Sequence, residues 1–245
     1  INTYINKFGE SQYLCRVLSK LSDESDRELF AMLALEFTNV KEEMDVRRYC
    51  MNEASKRGIL LTVEAQNDLQ KKLLQIAASD GYHYAISLFT SMSVKEKELA
   101  ITWLGKGLIQ VNDVEHFYPE LYHYLQPSTG TIDANQMWCL DYFNKYKKAK
   151  IADHYDEDVA KIIEERNGTP VKFNNWYQKF HTTNNILNNR GDIEVFYWID
   201  GLGVDWIPLI AYLVEQKMSE KVFLNDAMIA RAVLPTKTDI NKENL

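Results

Sequence analysis

Through roughly the first 190 residues, apolar side chains recur three and four positions apart and only a few Gly or Pro interrupt them. That period predicts consecutive amphipathic helices. Start signals agree with it: Ser25 is followed by Glu28, Thr62 opens TVEAQNDLQKKLLQIA, and Ser93 with Glu96 forms a capping box before LAITWLGKGL. Leu69, Leu73, Ile76 and Ala77 share one predicted face, as do Leu99, Trp103, Leu104 and Leu108, so both stripes are expected in the core. Breaks are expected at Gly58, Asp80-Gly81, Gly105 to Gly107, Pro119, Pro127 to Gly130 and Asn167 to Pro170. No repeat of fixed period runs through the helices.

After HTTNNILNNRGD the pattern changes. IEVFYWID is a short β-branched and aromatic run, bounded by Gly191-Asp192 and Gly201, and it reads as a buried strand. GVDWIPLIAYLVEQKM then reads as a helix, with Trp206, Leu209, Ile210, Leu213 and Val214 on one side and Pro208 near enough to the start to be tolerated. KVFLNDAMIARAVLP supplies one or two further strands ending at Pro235. The fold class expected is therefore mainly α: a multi-helix domain over 1–190, then the incomplete start of an α/β domain over 191–245. About 55 residues are too few for a doubly wound domain of roughly 100 to 150. Together with a first residue Ile1 and a closing TDINKENL, this reads as a fragment of a longer protein.

The composition narrows the setting. Of 245 residues, 46% are hydrophobic and 26% charged, which suits a globular core and excludes disordered or collagen-like classes. A net charge of −7 argues against a surface that generally coats nucleic acid. YFNKYKKAK and NWYQKF do interleave aromatics with Lys, as single-strand binders do. Residues 141–190, however, hold nine basic and seven acidic side chains, an excess of two. A solvated helix face over buried aromatics accounts for these segments, and nucleic acid stays open as a partner. Cys15, Cys50 and Cys139 form no C-x-x-C pair, so a reducing, cytoplasmic compartment is expected. No apolar run approaches the roughly 20 residues of a membrane span.

Ligands of open parallel sheets bind at the carboxyl ends of strands. Asp200 closes the first expected strand, before Gly201-Leu202-Gly203, while Thr236 and Thr238 follow the second, in LPTKTDINKE. A carboxylate there can hold a hard or borderline metal, and a hydroxyl beside a helix N-terminus can attack phosphorus. The plainer alternative is that Asp200 satisfies a βα turn and Thr238 caps a helix.

WIDGLG, followed after a helix and a strand by LPTKT, resembles the first two motifs of the alkaline-phosphatase superfamily. Within it, VFYWIDGLGVDWIPLI is most similar to PglZ-type proteins, the phosphatase-like components of BREX-like bacterial phage-defence systems; P-T-K-T also resembles the nucleotide pyrophosphatase/phosphodiesterase branch. The resemblance covers about residues 191–245. It implies Asp200 as first metal ligand, Thr238 as nucleophile and a further metal contact, Thr236 as the poorer candidate, two divalent ions, most commonly zinc, and other phage-defence proteins as partners. The superfamily's remaining Asp and His ligands follow the nucleophile, whereas His83, His116, His123, His154 and His181 all precede Asp200. These 245 residues alone are therefore expected to be inert. The alternative of a different class is a non-catalytic helical protein-protein interaction module.

Other signals carry less. His116 and His123 straddle Pro119 with no cluster to complete a tetrahedral set. DHYDED at 153–158 lacks the Gly and terminal Glu of a calcium loop and reads as an acidic first turn of a helix.

Overall fold

The computed structural model describes residues 12–19, 26–38, 40–90, 93–183, 199, 202–218, 222, 224 and 226–234. Among them the protein is mainly helical, and the chain divides into two compact units, Ile1–Pro119 and Glu120–Leu245. The boundary expected at 190/191 lies outside the described residues, whereas the division between the compact units is at 119/120.

The first unit holds α1 (Gln12–Ser19), α2 (Asp26–Leu35), α3 (Lys41–Lys56), α4 (Val63–Asp80), α5 (Tyr82–Ser87), α6 (Val94–Gly105) and a 3-10 turn at Val111–Val114. Two of its helix starts, those of α4 and α6, are ones the sequence signals. The Thr62 side chain accepts from the Ala65 N–H at 3.2 Å, and Ser93 with Glu96 closes a capping box. Ser25 lies outside the described residues. Leu69, Leu73 and Ala77 are buried and Ile76 is half-buried; Leu99 and Trp103 are buried, whereas Leu104 and Leu108 are half-buried and Ile109 fills the core beside them. Gly81, at φ 93°, turns α4 into α5 through a backbone conformation that side-chain-bearing residues rarely adopt.

A polar seam runs through this core. α2 ends with carbonyls that lack intrahelical partners, and fully buried Arg47 of α3 supplies donors: Nε to Leu33 O at 3.1 Å and Nη2 to Ala34 O at 2.6 Å. Its third donor, Nη1, reaches Leu88 O beyond α5 at 2.5 Å. Tyr13 of α1 adds a hydroxyl donor to Leu33 O at 2.9 Å. Nearby, buried Glu96 accepts from the Thr90 N–H at 2.8 Å and the Ser93 N–H at 3.1 Å. Burial pushes its carboxyl above the usual range, against the pull of Arg47 and these donors.

The second unit holds α7 (Pro119–Leu125, whose first residue is the last of the first unit), a 3-10 turn at Ala134–Gln136, α8 (Trp138–Ala152), α9 (Glu157–Asn167), α10 (Pro170–Tyr177), a 3-10 turn at Val204–Trp206 and α11 (Ile207–Met218). The DHYDED run starts a helix as expected: Asp156 caps α9 by accepting from the Val159 N–H at 3.0 Å, and Glu157 and Asp158 occupy its first turn. Thr169 caps α10, with Pro170 opening it. Cys139, Leu140, Phe180 and Ile229 form a small core that Trp138, Phe143, Trp176, Val204 and Ile207 pack against.

The α/β start expected over 191–245 is not what the described residues form. Its helix is present as α11, but among the described residues there is no strand, only two isolated parallel bridges, Thr131↔Met228 and Thr182↔Arg231. Both partners come from helix connections. Thr131 N–H donates to Ala227 O at 2.7 Å, just before the 134–136 turn, and Arg231 N–H donates to His181 O at 2.9 Å, just after α10. Approach is close at Gly130, where a Cβ would lie 3.0 Å from Ala227 O. The first expected strand, 193–200, lies outside the described residues except for Ile199.

Candidate functional site

Asp200, Thr236 and Thr238 lie outside the described residues. What the structure does place is the segment directly after Asp200, from Leu202 through α11, and it anchors that segment firmly. Gly203 is held so near its neighbour that a Cβ there would fall 2.8 Å from Asp205 Oδ1. Val204–Trp206 then tighten into a 3-10 turn whose Asp205 is 5% exposed.

A buried carboxylate requires donors and countercharge, and α7 and α8 provide both. The Tyr124 hydroxyl donates to Asp205 Oδ2 at 3.1 Å, and Lys150 Nζ lies 4.0 Å from the same oxygen. Lys150 also sits over the Trp206 ring at 5.3 Å and the Tyr124 ring at 5.7 Å, while those two rings are 4.9 Å apart. One turn earlier on α8, Lys147 is 1% exposed, and its Nζ donates to Gln126 O at 2.5 Å. Burial pushes the Lys147 ammonium down to about 8, with the Asp205 charge opposing. Burial and the neighbouring Asp205 carboxylate both push the Tyr124 phenol above its ordinary range.

Chemically this cluster is a tether. Its one carboxylate accepts from the Tyr124 phenol beside the exposed Lys150 ammonium, and Lys147 is closed to solvent, so neither Asp205 nor Lys147 is free to meet a substrate. It fixes the turn after Leu202-Gly203 onto α7 and α8. The sequence reading missed it. The sequence pattern puts the lysines of YFNKYKKAK on a solvated face, and the signal for the cluster is Asp205, a lone acid inside the apolar run GVDWIPLI. Of the aromatics in that segment, Tyr142 and Phe143 are half-buried and Tyr146 is exposed.

Among the described residues no group of three or more His, Cys, Asp or Glu could hold a metal ion. Asp205, the described carboxylate nearest to Asp200 in sequence, is engaged by Tyr124 and lies beside Lys150. His116 packs edge-on against Phe117 at 5.2 Å, and burial lowers its basicity. His123 stacks on Tyr212 with centroids 3.8 Å apart and planes at 10°, fastening α7 to α11. His116 is exposed and His123 half-buried, and neither has ligand partners around it among the described residues. No helix among the described residues is long and apolar enough to cross a membrane. Compared with known proteins, the chain finds no matching family model and no significant match among curated proteins or solved structures.

Proposed function

We propose that the chain is the amino-terminal region of a PglZ-type member of the alkaline-phosphatase superfamily. Its helices would contact other phage-defence proteins, and its residues from 191 onward would open a metal-dependent phosphatase or phosphodiesterase fold. The motif order WIDGLG then LPTKT is the sequence basis. One structural observation supports it above the rest. α11 begins four residues after Gly203 and carries the apolar run IPLIAYLV, yet none of its residues is buried. A helix this apolar belongs inside a larger layered domain. In this reading α11 is the first crossover helix, Asp200 the first metal ligand before it, and Thr238 the nucleophile after the extended residues that follow it.

The test is metal-stimulated hydrolysis of an aryl phosphate ester. The full-length protein should hydrolyse it with added zinc or manganese and lose that activity on Asp200→Ala, while the 245-residue chain alone should show no turnover. A full-length protein inert under all metals, yet still binding partner proteins through its helices, would favour the non-catalytic interaction module instead.

A further inference from the structure

Beside the tether, the second unit carries a half-open pocket of about 350 Å³ bordered by α8, α9, α10, Val204 and the 229–231 segment. That is within the range of about 300 to 1,000 Å³ in which small-molecule sites fall. Trp138, Trp176 and Phe180 form an edge-to-face cage, with centroids 5.3 Å apart for the tryptophan pair, 5.9 Å for Trp176–Phe180 and 6.5 Å for Trp138–Phe180. Trp176 is oriented by its indole N–H, which donates to Asn167 Oδ1 at 3.1 Å.

The charge at this cavity has one sign. Arg166 and Arg231 line it, and no Asp or Glu is among the described residues that do. Arg166 lies with its guanidinium carbon 4.7 Å over the Trp138 ring, extending a flat shelf. Its Nε is buried and has no hydrogen-bond partner among the described residues. Arg231 spends its Nε on Phe180 O at 3.1 Å and covers Tyr177 at 4.4 Å, which holds its charge at the cavity. Two guanidinium groups, one stacked on the aromatic cage, at a pocket with no lining carboxylate among the described residues suit an anionic ligand.

The geometry points to a binding site for a planar aromatic anion, its ring taken by Trp138, Trp176 and Phe180 and its anionic group by Arg166. An aromatic carboxylate and a mononucleotide share that chemistry. Aliphatic anions lack a face to stack, and neutral rings leave the Arg166 and Arg231 charges without a counterion.

Calorimetric titration of the 245-residue chain separates these. Naphthoate and adenosine monophosphate are each compared with a neutral counterpart, naphthylmethanol and adenosine, and with octanoate. At least one aromatic anion should bind with a dissociation constant of about 1 mM or below, about tenfold tighter than its counterpart and than octanoate. Naphthoate alone would identify a carboxylate, adenosine monophosphate alone a nucleotide, and both would show that ring plus anion suffices. Arg166→Met should erase the tenfold preference. Ile163→Trp, which fills a wall position 42% exposed at the cavity, should weaken every arm while far-ultraviolet melting is unchanged. Neutral rings or octanoate binding as well as the anions, no binding of either anion, or a preference that survives Arg166→Met would overturn the assignment.

Discussion

The Tyr124 hydroxyl donates to Asp205 Oδ2 at 3.1 Å, joining positions 81 residues apart and tying the turn after Gly203 to the helices of the second unit. A hydrogen bond to a charged, buried acceptor contributes about 1.5 to 3 kcal/mol. Tyr124→Phe should therefore lower the unfolding free energy of that unit by about 2 kcal/mol in urea denaturation. Combined with Asp205→Asn it should show a coupling well above the scatter of additive pairs, about 0.5 kcal/mol. Purely additive losses would mean that the two groups do not act together.

In the first unit Arg47 holds three backbone carbonyls, Leu33 O, Ala34 O and Leu88 O, from a fully buried position. Arg47→Met removes all these donors and leaves buried acceptors unmet, a change expected to cost about 3 to 5 kcal/mol. Arg47→Lys should recover only part of this, because an ammonium lacks the planar fork that reaches three separate carbonyls. Denaturation curves showing a loss below about 1 kcal/mol for the methionine variant would refute the role given to Arg47.

Lys147 makes the second unit's stability depend on pH in a stated direction. Its folded-state value, about 8, is below the ordinary 10.5, so above pH 8 the unfolded chain binds the extra proton and stability rises with pH. From about pH 9 the Cys139 thiol, which burial pushes up from 9.0 to about 11, opposes that rise because only the unfolded chain releases its proton. Stability should therefore climb between pH 8 and 9, level off to about pH 10, and fall above it, where only the unfolded chain releases the Tyr124 phenol proton. Lys147→Met should abolish the climb and Cys139→Ala should prolong it. A wild-type curve that falls from pH 8 to 9 would contradict the burial assigned to Lys147.

Helices and caps were legible because their signals are local: Thr62, Ser93 and Asp156 each act within three residues of themselves. The core stripe of Leu69, Leu73 and Ala77 followed from period alone. What the sequence hid is long-range. Nothing local marks Arg47 as buried, since its carbonyl partners lie 13, 14 and 41 residues away. Lys147 looked solvated because its neighbours Lys148 and Lys150 are exposed, and only the turn of α8 toward Gln126 O separates it from them. The apolar and β-branched run at 221–234 read as strand, but strand formation depends on a partner, and the described partners are single residues at helix connections.

The most direct test of the proposed phosphatase reading compares two threonines in the full-length protein. Thr238, the last residue of P-T-K-T, should carry the nucleophilic hydroxyl, and Thr236, two positions earlier, should not. Metal-stimulated turnover of an aryl phosphate ester should fall by about a thousandfold or more in Thr238→Ala, on the scale of losing a covalent nucleophile, with metal binding and melting temperature nearly unchanged. Thr236→Ala should keep most of the activity. The reverse ranking, with both variants folded and metal-bound, would contradict the assignment and the family reading with it.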